Sequence, residues 1–84
     1  MIVRMWEAKV LPGEMADALD WLREEAVPAA LAQAGCLGAE GFEAVGDERI
    51  VVISRWADDA GPWEPPRPYR RLLRRSHTWP FRPA

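Results

Sequence analysis

At 84 residues the chain has room for one domain and one core, which residues 1–84 are expected to form together. Apolar residues make up 49% of it and five residues are tryptophan, more apolar surface than a monomer of this size readily hides, so self-association is expected. A net charge of −2 and a single cysteine, Cys36, exclude an intramolecular disulfide and a cysteine-based metal cluster, and fit a cytoplasmic protein.

Ile2 to Val10 alternates as a strand, with Ile2, Arg4, Trp6, Ala8 and Val10 on one face and Val3, Met5, Glu7 and Lys9 on the other. The N-terminal stretch has no charged start followed by a long apolar run, and no segment reaches membrane-spanning length, so neither a leader nor a membrane span is expected. Leu11-Pro12-Gly13 is a turn. A helix is predicted from Glu14 to Ala34, with Met15, Ala18, Leu19, Leu22, Ala26, Ala29 and Ala30 on its apolar stripe. Pro28 lacks a backbone donor and crowds the carbonyl of Glu24, which predicts a kink, and Gly35 suits a left-handed stop.

Cys36 to Ala44 reads as a second strand, interrupted by Gly38 and Gly41. Arg49 to Trp56 is the clearest strand, dense in β-branched residues. Pro62, Pro65, Pro66 and Pro68 exclude a continuous helix across residues 57–68. Tyr69 to Ser76 has the length of two helical turns, and His77 to Phe81 that of a last edge strand. The order β-α-β-β-α-β predicts an α+β, ferredoxin-like fold: a four-stranded antiparallel sheet with helices on one face. The other face then needs a partner, and a homodimer formed through it is the expectation.

Residues 1–64 carry all 13 acids against five bases, whereas residues 65–84 carry six arginines and no acid. Such asymmetry signals either an anionic partner or a basic segment lying on the acidic first helix, in the same chain or across a dimer. Nucleic acid is the less expected partner.

No phosphate-cradling glycine loop, nucleophile elbow, HExxH pair or Cys/His metal spacing is present, so neither a metal nor another cofactor is expected. The candidate chemistry is aromatic. Trp6, Trp56 and Trp63 could wall a flat apolar cavity for a small apolar or aromatic ligand. Tyr69 would then be a hydrogen-bonding group and His77 a proton carrier. Alternatively Trp6 and Trp56 fill the core, Trp63 packs under the loop and His77 lies at the surface.

The segments MIVRMWEAKVLPGE, LREEAVPAALAQAGCLGAE and ERIVVISRWAD resemble the antibiotic biosynthesis monooxygenase superfamily of dimeric α+β barrels, over residues 1–59. The resemblance implies dimerisation through the sheets. It also implies either oxidation of polycyclic aromatic, polyketide-like substrates by O2 without a cofactor, or haem degradation. Haem-degrading members use an asparagine on the first strand, a tryptophan and a histidine. His77 and Trp63 or Trp56 match two of these roles, but Trp6 stands at the asparagine position, which points away from haem. The Pro-rich 57–68 segment replaces part of the family's usual second helix. A non-catalytic homodimer that binds a ligand or another protein is the alternative.

Overall fold

The computed structural model describes residues 1–84. Four strands form one antiparallel sheet: β1 (Ile2–Val10), β2 (Cys36–Glu43), β3 (Arg49–Trp56) and β4 (Leu73–Phe81), in the order β2-β3-β1-β4. This is the ferredoxin-like strand order, with helical structure on one face. The register from Ile2↔Trp56 to Lys9↔Arg49 places Trp6, Ala8, Val10, Ile50, Val52, Ser54 and Trp56 on the same face, and all seven are buried.

That face is covered by α1 (Met15–Trp21), a π-helical turn (Leu22–Ala26) and α2 (Val27–Leu31). Ala18, Trp21, Leu22 and Ala26 point inward and complete the core with Leu72 from the loop before β4. The helix packs directly on β2, because a Cβ at Gly41 would come 3.3 Å from Val27 Cγ2. A π turn forms just before Pro28, where the kink is expected. Pro28 offers no N–H and its ring crowds the carbonyl of Glu24, so the helix widens and the Val27 N–H bonds to Leu22 O. The helix also stops at Leu31 instead of Ala34, since Gln33 N–H closes a tighter turn onto Ala30 O and Gly35 follows at φ +84°.

The second helix expected from Tyr69 is not formed. Residues 57–72 contain no regular secondary structure, and β4 begins at Leu73, four residues earlier than the sequence suggests. Leu72 is fully buried, and the Leu11 N–H bonds to its carbonyl. This anchors the chain beside β1, where Leu73–Phe81 pairs its backbone from Val10↔Leu73 to Val3↔Phe81. A ladder of that length satisfies more backbone groups than two isolated helical turns would. Pro80 is accommodated because β4 is an edge strand.

Candidate functional site

The missing second helix leaves β4 uncovered, and its helix-side residues Ser76, Thr78 and Pro80 are exposed. A cavity of about 650 Å³ opens there, between the sheet and the Pro-rich segment. Trp6 from the middle of β1, Trp21 from the end of α1, Leu72 and Leu73 give it an apolar lining, and Pro65, Pro66 and Pro68 border it from the loop. The two indoles are 6% and 3% exposed, with ring centroids 5.7 Å apart and planes inclined at 54°. The Trp21 Nε1–H is buried and has no hydrogen-bond acceptor within the protein.

Polar groups crowd the rim: Glu64, Arg67, Arg70, Arg71, Arg74 and Ser76. Arg70 donates to the carboxylates of Glu14 and Asp17, and through Nε to the Tyr69 hydroxyl at 3.1 Å. These bonds hold its guanidinium above the usual arginine range and draw the Glu14 carboxyl below the usual carboxylate range. They also tie the start of α1 to the loop. Glu64 is the only carboxylate in the lining.

At the far end of the same face, Trp56 is 1% exposed and donates from Nε1 to Ser54 Oγ at 2.7 Å. Trp63 lies 5.8 Å from it, and the Arg4 guanidinium sits 4.9 Å above its ring. Arg4 also donates to Gly61 O and Ala60 O, which fastens the loop over this end. Ile2, not Trp6, is the partner of Trp56, so Trp6 and Trp56 lie four positions apart along neighbouring strands, about 13 Å.

The five aromatic residues singled out in the sequence therefore do not meet at one place. Trp6 lines the cavity. Trp56 and Trp63 form a separate packed pair. Tyr69 is exposed on the loop with its hydroxyl bonded to Arg70. His77 pairs with Glu7 across the ladder, on the face opposite Trp6, with its ring stacked on Trp79 at 5.6 Å. Trp21 and Glu64, which line the cavity, were not foreseen. Trp21 carried a signal, since it stands three residues after Ala18 and beside Leu22 of the apolar stripe. Glu64 carried none.

The sequence profile of the antibiotic biosynthesis monooxygenase family matches residues 1–64. The chain belongs to that family. The antibiotic biosynthesis monooxygenase family comprises monooxygenase-like and small-molecule-binding proteins that commonly pair as dimers. The match covers all of β1 to β3 and ends at Glu64, so most of the loop side of the cavity and all of β4 lie beyond it. No curated protein and no solved structure matches the chain significantly. No helix is long and apolar enough to cross a membrane.

Proposed function

We propose that this family member binds a flat aromatic, polyketide-like molecule in the Trp6/Trp21 cavity and oxidises it with O2 without metal or flavin. The cavity walled by the Trp6 and Trp21 indoles, 5.7 Å apart, carries this reading. The Trp21 Nε1–H, which no acceptor in the protein satisfies, is a donor that a phenolic or carbonyl oxygen of the ligand would take once the indole turned toward the cavity. The indole rings would hold the aromatic plane.

For an anthrone the reaction balances without a cofactor. The ring methylene loses two hydrogens and four electrons to become a carbonyl; one oxygen atom enters the product and the other leaves as water. The protein's part is to bind the substrate, exclude water and accept the first proton. Glu64 is the acceptor we assign, as the only carboxylate lining the cavity. His77 and Tyr69, outside that lining, serve as controls. We also assign dimerisation to the uncovered sheet face, where Val3, Met5 and Ile53 meet Trp79 and Phe81.

Oxygen uptake with hydroxylated anthrones and naphthols tests the reading. One O2 consumed per anthrone is expected, falling about 100-fold in Glu64→Gln and abolished in Trp6→Ala, with His77→Ala unchanged. Uptake indifferent to Trp6→Ala and Glu64→Gln would remove the enzymatic reading. The alternative, a non-catalytic binding dimer, is favoured by the exposure of Glu64, which gives a proton acceptor little shelter from water. Quenching of tryptophan fluorescence by the same compounds, without oxygen uptake, would select it.

A further inference from the structure

The uncovered face of the sheet changes character along its length. Around Val3 and Met5 it is apolar, but around Glu7 and Lys9 it opens into a second cavity of about 840 Å³. Lys9, Arg49, Arg71, Arg74 and Arg75 line this cleft, and its only carboxylate is Glu7. Arg49 is paired with Glu7 at 2.8 Å and with Asp47 at 3.2 Å. The other four cations have no carboxylate partner; elsewhere in the chain Arg23 and Arg55 have one each and Arg70 two, while Arg4, Arg67 and Arg82 stand unpaired but are not gathered in one concavity. In a chain with net charge −2, acids are plentiful, yet none is placed to offset these four.

A local irregularity builds the cleft. Ala8 pairs with Ser76 and Val10 with Leu73, so two residues of β4, Arg74 and Arg75, stand opposite the single residue Lys9. Consecutive residues of a regular strand point to opposite faces. The bulge allows both arginines to line one cleft, at the cost of an unpaired residue in the ladder. Arg71 reaches it from the loop before the strand. Four cations from two strands and a loop thus share one concavity, in an arrangement whose mutual repulsion a bound anion would relieve.

We propose that this cleft binds a small molecule through a diphosphate or polyphosphate group. Guanidinium groups present planar forks that match phosphate oxygens two at a time. A single carboxylate would neutralise one of the four unpaired cations, whereas a diphosphate brings two to three charges and enough oxygens for several forks. The volume exceeds what a diphosphate fills, leaving room for an organic remainder beside His77. The Trp6/Trp21 cavity lies on the opposite face of the sheet and shares only Arg71 and Arg74 with the cleft, at the edge strand. Arg71, Arg74 and Arg75 all lie beyond the family match, so the site is a feature of this chain's own C-terminal segment.

Calorimetric titration of the full chain with pyrophosphate, at low salt, is the test. Saturable binding of one pyrophosphate per chain is expected, weakened at least tenfold in Arg74→Ala/Arg75→Ala and retained in Arg67→Ala/Arg82→Ala, which removes equal charge outside the cleft. Lys9→Gln and Arg71→Gln repeat the test without altering the bulge, with circular dichroism confirming the fold of each variant. A nucleoside diphosphate binding more tightly than pyrophosphate would place the organic remainder in the cleft as well; equal affinity would confine recognition to the phosphates. Absent saturation, equal weakening by both double variants, a preference for citrate, or tighter binding of a duplex oligonucleotide would each overturn the proposal.

Discussion

Two tryptophans buried on the same side of the sheet differ in one atom's fate. The Trp56 Nε1–H is satisfied inside the protein by Ser54 Oγ, itself 2% exposed, while that of Trp21 is left without an acceptor. Ser54→Ala would leave both indoles unsatisfied, and is expected to destabilise the chain by about 1–3 kcal/mol. That corresponds to a fall in Tm of at least roughly 4 °C for a domain of this size; a Tm unchanged by the substitution would show that water replaces the serine. The contrast also marks how far the site was legible in the sequence. Strand alternation alone groups Trp6 with Ala8 and Val10, since period two fixes which residues share a side, but not which side the helix covers. Alternation groups Trp56 within β3 in the same way, but whether it meets Trp6 depends on register along the ladder, which alternation does not set. His77 was read as a proton carrier at the start of the last strand, but its side depends on the register against β1, and pairing opposite Glu7 puts it on the face away from Trp6.

At the scale of elements, patterns that depend on local periodicity were readable and those that depend on competition were not. RIVVISRW gives β3 with the expected bounds, and the clash of Pro28 with Glu24 announces a helical irregularity, though not that a π turn would absorb it. The segment from Tyr69 could close two helical turns locally, but the free edge of β1 offers a nine-residue partner, a non-local advantage no window of sequence displays. The Pro-rich loop that results is held to α1 by Arg70, through Glu14 and Asp17. Because the Arg70 hydrogen bond lowers the folded Glu14 pKa below 4.5, its contribution is present above the unfolded value and lost as pH falls through the depressed one. Denaturant unfolding at pH 7 and pH 3 should therefore show a larger acid loss in the native chain than in Glu14→Gln. Glu40, drawn down by its hydrogen bonds from Arg55, titrates in the same direction and leaves part of the acid loss in the variant. An identical acid loss in both chains would mean that the loop is held by other contacts.

The whole molecule is one layer of helix on one sheet, and a sheet buried on a single face leaves the other to water. Here that other face carries Val3, Met5, Val51 and Ile53 half-buried, with Phe42, Trp79 and Phe81 between 42% and 50% exposed. At the apolar end of this face the charged groups are paired within the chain, Arg55 with Glu40, and the unpaired Lys9, Arg71, Arg74 and Arg75 lie at the other end in the cleft, so a second copy apposed over the apolar end strands few charges. Roughly 800 Å² buried per partner suffices for a stable pair, and the apolar end of the sheet, with Phe42, Trp79 and Phe81 exposed, is the surface that would supply it. Trp79 stands at the centre of the β1–β4 part of this face, opposite Met5, where a large aromatic contributes most to association. Light scattering should give twice the 9.5 kDa chain mass for the native protein and the single chain mass for Trp79→Glu at micromolar concentration. The folded core lies wholly on the helix side of the sheet, so the variant should keep its circular dichroism spectrum and unfold cooperatively as a monomer. A variant that remains a dimer would move the interface away from the sheet face, to the helix or the C-terminal edge. A native chain that is monomeric would leave the seven apolar side chains of this face for a different protein to cover.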